Sequence, residues 1–180
     1  MKKLIITTAL LLTTNAVFSQ AQFDSFENED DVTSVVVTKN MFKLLGKMDL
    51  NSQDPDAKQY LEMVDNLDNV KVFTTENPLV GRKMDAAVAK HIASSSGLSE
   101  LMRVKDDGKN IKFYSREGKN ENFVSELLMH LNGTVDGKSM TVIMSITGDI
   151  DLRQISKLAA QLNVPGSEEL KNMNTNKKNK

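Results

Sequence analysis

The chain has 180 residues, a formal net charge of −1, 39% hydrophobic residues and no cysteine. Nucleic-acid-binding proteins normally carry a basic excess on one face, so this charge balance excludes that class of partner. The lack of cysteine excludes disulfide bonds and lipid attachment through an N-terminal cysteine.

The N-terminus has the pattern of a secretory signal peptide, residues 1–21. Lys2 and Lys3 supply the positive region, Leu4–Leu12 is a short apolar core, and cleavage fits after Ser19 or Ala21. The apolar run is too short for a stable membrane span. The sequence therefore predicts a soluble, exported protein, periplasmic or secreted, with no lipid anchor and no membrane span.

The rest of the chain divides into an acidic leader (22–31), one domain (32–163) and a polar tail (164–180). The tail is rich in Asn and Lys, a composition typical of disorder. Without the signal peptide about 160 residues remain, enough for one domain that folds around its own core without a metal or disulfide.

The first half of the domain alternates strand and helix patterns. Val32–Thr38 is β-branched and predicts a strand. Apolar residues then recur at helical spacing from Met41 to Met48. Asp54-Pro55 is a capping residue followed by proline, which predicts the start of a second helix running to Leu67. A second strand follows at Val70–Thr75.

The second half changes from helical periodicity to alternation. Asn77-Pro78 opens the longest predicted helix, which ends near Ser95. Two strand pairs follow, one joined at Asp106–Lys109 and one across Asn132-Gly133 and Asp136-Gly137. Asp151 begins a last predicted helix. The order β-α-α-β-α-β-β-β-β-α predicts an α+β, two-layer domain, with helices on one face of a mainly antiparallel sheet.

Three segments carry a family resemblance: Lys39–Asp49, Leu101–Asp106 and Thr147–Leu152. Together with the signal peptide, they resemble the domain of unknown function 4252 family, small exported proteins of Bacteroidota. The resemblance covers Val32 to Leu162. It implies no activity, substrate, cofactor or catalytic residue, because the family has none established.

Motifs for catalysis, cofactor binding and metal binding are missing. The chain has two histidines, His91 and His130, and no cysteine, which excludes a structural zinc site on ligand count. Serine-nucleophile and nucleotide-binding motifs are also absent. Asp149 and Asp151 could form a metal or acid–base pair, but Asp151 as the cap of the last helix is the preferred interpretation. We predict no cofactor and no enzymatic activity.

His91 is the one candidate for ligand binding or pH sensing. It lies within the apolar stripe of the long predicted helix, with Met84, Ala87 and Val88. A neutral histidine there could hold a ligand or respond to pH. The alternative is a structural histidine near a helix end that bonds a backbone carbonyl.

The sheet offers a candidate interaction face. Strand alternation places a set of side chains away from the predicted helices: Val124, Leu128, Ile143, Tyr114 and His130. A contiguous apolar patch of this kind can mark a partner surface. An ordinary solvated sheet face with scattered apolar residues is the alternative.

Three functions from different classes remain. The preferred hypothesis is a non-enzymatic interaction module of the cell envelope, binding an unknown envelope protein or itself. The alternative is a small-molecule or lipid carrier, since flexible methionines such as Met84, Met129 and Met144 suit an adaptable apolar core. The third is an enzyme with an unrecognised site at His91, His130 or the Asp149–Asp151 turn.

Overall fold

The computed structural model of the protein describes residues 21–48 and 64–152. A 3₁₀ helix, Ala21–Phe26, comes first. The helices are α1, Lys39–Met48, and α2, Pro78–Ser94. The strands are β1 Thr33–Thr38, β2 Leu67–Thr75, β3 Leu98–Asp106, β4 Lys109–Glu117, β5 Phe123–Val135 and β6 Lys138–Asp151. In these two ranges no helix is long and apolar enough to cross a membrane.

The strands form one antiparallel sheet in the order β1-β2-β6-β5-β4-β3. β6 and β5 are therefore central, and β1 and β3 form the two edges. β2 pairs with β6 although 62 residues lie between the end of β2 and the start of β6. The mainly antiparallel α+β class is confirmed. The predicted helix beginning at Asp54 lies largely outside the described residues, as does the last predicted helix beyond Leu152. Leu67, predicted within the former helix, instead begins β2.

Two tight turns close the β3–β4 and β5–β6 hairpins. Asp107 and Gly108 both have positive φ, 40° and 77°, and Asp136 and Gly137 repeat the pattern at 50° and 79°. This geometry matches the twist of the flanking strands, and Asp-Gly is a favoured sequence for it. β5 continues through Gly133, where the sequence predicted a connection. A Cβ there would lie 2.2 Å from the Gly108 carbonyl oxygen, so glycine allows the strand to pass the hairpin turn.

The start of α2 is as predicted. Asn77 caps the helix: its side-chain oxygen accepts from the backbone N–H groups of Leu79 and Val80, at 2.9 and 3.5 Å. Pro78 occupies the first turn, where its missing N–H costs nothing. The buried face repeats at helical spacing: Val80, Gly81, Met84, Val88 and His91.

The centre of the sheet is buried on both faces. The 3₁₀ helix and α2 cover one face, in a cluster that includes Phe23, Phe73, Met84, Leu128 and Ile143. The opposite face carries a larger cluster: Phe42, Val64, Leu67, Val70, Val72, Ile111, Phe113, Val124, Leu127, Met129, Leu131, Val142, Met144, Ile146 and Ile150. Phe42 belongs to α1, so the two described helices contribute to opposite faces rather than to one as predicted.

Candidate interaction site

The sheet face predicted to be a free surface lies inside the protein. Leu128 and Ile143 are fully buried, and Tyr114 is nearly so. All three pack in the cluster beneath α2 and the 3₁₀ helix. The expectation of an exposed patch is therefore wrong. Alternation correctly placed the three side chains on one face, but periodicity cannot tell which face a distant helix will cover.

Val124 lies on the other face of the sheet. A β-bulge interrupts the β5–β6 register between Val124 and Glu126. A bulge inserts one extra residue into a strand and shifts the alternation beyond it. As a result Val124 joins the cluster with Leu127 and Met129, not the cluster with Leu128.

His130 pairs with an aspartate of α2. Its Nε2 donates to Asp85 Oδ1 at 2.8 Å, and Asn132 Nδ2 donates to Asp85 Oδ2 at 2.6 Å. Burial lowers the pKa of His130, and the Asp85 carboxylate offsets this only in part. The native state therefore favours the neutral imidazole, and the side chain ties β5 to α2 rather than belonging to a free surface.

His91 belongs to a buried polar cluster near the C-terminal end of α2. Its Nε2 lies 2.6 Å from Glu126 Oε1 on β5, and its Nδ1 lies 3.3 Å from Ser95 Oγ. The ring also makes an edge-to-face contact with Phe23, 5.3 Å between centroids. His91 bonds a carboxylate and not the backbone carbonyl that the structural interpretation expected.

Arg116 completes the cluster from β4. Its Nη2 and Nε donate to Glu126 Oε2 at 3.1 and 3.3 Å, and its Nη1 donates to the Ser96 carbonyl oxygen. Burial raises the pKa of Glu126, but the hydrogen bonds and charges of His91 and Arg116 outweigh it. The net pKa lies below the ordinary value of 4.5. Glu126 is therefore an ionised carboxylate that joins α2, β4 and β5.

The two histidines do not meet. Glu126 and His130 are four residues apart on β5, about 13 Å along a strand, and each histidine has its own acidic partner. Asp149 pairs with Lys119 at 2.6 Å, and Asp151 is buried at the end of β6. Among residues 21–48 and 64–152, no three His, Asp or Glu side chains group to hold a metal ion.

Two grooves lie on the surface of the described part of the protein. One, of about 660 Å³, lies beside the start of β1 and includes Asp31, Thr33 and Glu76 in its lining. The other, of about 490 Å³, includes Leu101 and Phe123. Neither is lined by His91 or His130. The structure thus assigns the histidines to packing between helix and sheet.

The exposed feature is the free edge of β1. Its other edge pairs with β2, and within the described residues no strand lies beyond it. Val35 and Val36 are 45% and 39% exposed, and they point to opposite faces because side chains alternate along a strand. Met41 and Leu44 lie about one turn apart on α1, the next element in the chain, and are also exposed apolar side chains, at 48% and 53%.

The opposite edge, β3, is built differently. It carries Glu100, Arg103, Lys105 and Asp106, and its register is interrupted by a bulge after Glu100. Charges and bulges are the usual protection of an edge strand against pairing with another chain. β1 has no charge, no proline and no bulge. Sequence reasoning identified this strand but not its position at an edge, which depends on long-range pairing.

A family model described as "Domain of unknown function (DUF4252)" matches residues 26–158 and confirms the resemblance found in the sequence. The R-hydratase PhaJ1 from Pseudomonas aeruginosa, in its unliganded form, is a similar solved structure. The similarity covers 67% of this chain and 79% of that one, at 11% sequence identity and a TM-score of 0.16. No curated protein matches the sequence. Since the family model spans well over half of the chain, the protein belongs to the DUF4252 family.

Proposed function

We propose that the protein is an exported, non-enzymatic interaction module of the cell envelope that binds protein partners through the free edge of β1. The observation that carries the proposal is the uncharged, exposed β1 edge, with Val35 and Val36 in solvent. Export rests on the signal-peptide pattern of residues 1–21.

Strand addition supplies the physical basis for binding at such an edge. An edge strand presents a row of backbone N–H and C=O groups that an extended segment can pair with. Side chains on the two faces of the added strand then contact Val35 on one side and Val36 on the other. Met41 and Leu44 of α1, the helix that follows β1 directly, are further exposed apolar side chains, and their burial against a partner would favour association.

The methionines that suggested a carrier are part of the packed core. Met84, Met129 and Met144 are fully buried, and each lies in one of the two apolar clusters against the sheet. Filling irregular gaps is the ordinary use of such side chains. These contacts favour the interaction module over the carrier hypothesis.

Site-specific photo-crosslinking in the producing cell tests the proposal. A benzophenone amino acid replaces Val36 in one strain and Leu101, on the charged β3 edge, in another. Both residues are 39% exposed, so the two probes are matched for accessibility. We expect adducts of defined mass from position 36 and little from position 101.

The added mass identifies the partner. An adduct of twice the chain mass is a second copy, and any other mass is a different protein. Adduct formation from position 36 should disappear when Val35 is also replaced by Lys, because a charge protects the edge. Equal adduct yields from positions 36 and 101, or none from either, would contradict the proposed function.

A further inference from the structure

The β1 edge is also complementary to itself. We propose that two copies of the chain pair antiparallel along β1, with a two-fold axis at Val36, to form one continuous sheet of both copies. This inference rests on the proposed function and names the partner as a second copy. Two observations support it, the residues of β1 and the charges beside the strand, and the symmetry of antiparallel pairing restricts the register.

The residues of β1 match their partners in this register. Antiparallel pairing centred on Val36 places Ser34 opposite Thr38, Val35 opposite Val37, and Val36 opposite itself. Hydroxyl pairs and β-branched pairs directly across two strands each favour pairing. Because the strand has no charge, no like charges meet anywhere along it.

The flanks of β1 are oppositely charged. Asp30 and Asp31 precede the strand, while Lys43 and Lys47 follow it on α1, and all four are exposed. An antiparallel pair brings the acidic flank of each copy alongside the basic flank of the other, twice in the dimer. A parallel pair would bring like charges together. Such complementary charges favour the antiparallel orientation and steer association.

Symmetry restricts the register. A two-fold axis perpendicular to the sheet keeps each face of one copy continuous with the same face of the other, as an isologous contact requires. Directly opposed residues then share a face of the sheet. One residue of the strand therefore faces the same residue of the other copy across the axis. With Val36 on the axis, its exposed side chain meets its own symmetry mate.

The absence of cysteine makes this register directly testable. Opposed residues of an antiparallel pair have Cα atoms about 5 Å apart, within the range of a disulfide bond. In purified mature protein under mild oxidation, V36C should therefore form a covalent dimer. In V35C the two equivalent Cα atoms are about 8 Å apart, too far for a disulfide. L101C is the control at equal exposure on the other edge.

The expected result is at least tenfold faster dimer formation by V36C than by V35C and L101C, with all three variants retaining the circular dichroism spectrum of the unmodified protein. Sedimentation equilibrium of the cysteine-free chain should show a monomer–dimer equilibrium that weakens at high salt, since the flanking charges are screened. Faster crosslinking of V35C would overturn the register, and V36C no faster than L101C would overturn self-pairing.

The two experiments together distinguish self-pairing from binding to another protein. If V36C does not crosslink to itself but position 36 gives adducts with another protein in the cell, the edge binds a partner and self-pairing is wrong. If neither experiment yields an adduct, both proposals are wrong.

Discussion

Glu126 is a charged group at a place where burial alone would favour its neutral form. Burial acts to raise the pKa of this carboxyl, and its hydrogen bonds to His91 and Arg116 reverse the effect. Such an ion cluster specifies one arrangement of the surrounding elements, because any other arrangement leaves a buried charge without partners. The cluster therefore fixes where the end of α2 meets β4 and β5.

Glu126→Gln should destabilise the protein by about 2–3 kcal/mol, since the amide keeps the shape but loses the charge that both partners bond. The native pKa lies below 4.5, so the stability contributed by the carboxylate is complete above that value and is lost as the pH falls further. The difference in the free energy of unfolding between the unmodified protein and Glu126→Gln, measured in urea, should decrease below pH 4.5. The exposed control Glu121→Gln should change stability by less than about 0.5 kcal/mol. A difference that stays constant with pH would contradict the ionised state of Glu126.

His130 should make the protein less stable at mildly acidic pH. Burial holds the native pKa below the ordinary value of 6.5, so the unfolded state binds a proton first. The stability that the neutral His130 contributes is therefore fully present above pH 6.5 and decreases as the pH falls through the window below it. Thermal unfolding at pH 7.5 and pH 5 should show a larger loss for the unmodified protein than for His130→Gln, which cannot titrate. Equal losses would contradict this prediction.

Single residues show where sequence reasoning stops. The cap at Asn77 and the two Asp-Gly turns were predictable, because each depends on neighbours within a few positions. The pairing of His91 with Glu126 joins residues 35 positions apart and was not predicted. A signal for this pair was present in the sequence. His91 lies in an apolar helical stripe and Glu126 within a largely apolar strand, and buried polar side chains require hydrogen-bond partners.

At the scale of elements, α2 approaches β6 closely at Gly81. A Cβ at this position would lie 2.7 Å from Thr141 Oγ1, so glycine lets the helix rest directly on the strand. Glycine normally costs a helix about 1 kcal/mol relative to alanine. Its presence here is explained by the packing of helix on sheet.

Gly81→Ala should therefore destabilise the protein by about 1 kcal/mol, although alanine is the better helix former, because overpacking outweighs propensity. Thr141→Ala removes the contacting oxygen and should rescue the variant. Thr141→Val places a methyl group where the oxygen was and should not. A double-mutant cycle in urea measures the coupling. A stabilised Gly81→Ala variant would show that the helix moves away without cost.

The two edge strands show how element type and element position differ. The alternation and β-branched content of residues 33–38 predicted a strand correctly. That β1 would lie at an edge, while β2 lies between β1 and β6, depended on pairings that no local pattern encodes. The charges of β3 were visible in the sequence, but their role as edge protection follows only from its place in the sheet.

At the scale of the whole molecule, the sheet has no free face over its centre. Leu128 and Ile143 on one face and Met129 and Met144 on the other are all fully buried. Antiparallel sheets often leave one face to solvent, and the predicted interaction face required that arrangement. Here the 3₁₀ helix and α2 cover the face that was expected to bind partners.

Leu128→Ala should consequently cost about 2–5 kcal/mol, as for other buried leucines. Leu79→Ala, on the outer side of α2 at 64% exposure, should cost less than about 0.5 kcal/mol. Chemical denaturation of both variants decides between a buried and a solvated face. Similar small effects for the two leucines would restore the original interpretation of the sheet.

The sequence by itself determined the family, the antiparallel α+β class, the capped start of α2 and the hairpin turns, because these depend on periodicity and on residues close along the chain. Only the tertiary structure decided which sheet face is buried, which strands are edges and which acidic group each histidine meets. Those features depend on contacts between residues far apart in the chain, where hydrophobic burial selects the strand order and the helix positions. The candidate interaction site moved accordingly, from the covered sheet face at Leu128 to the exposed edge at Val36.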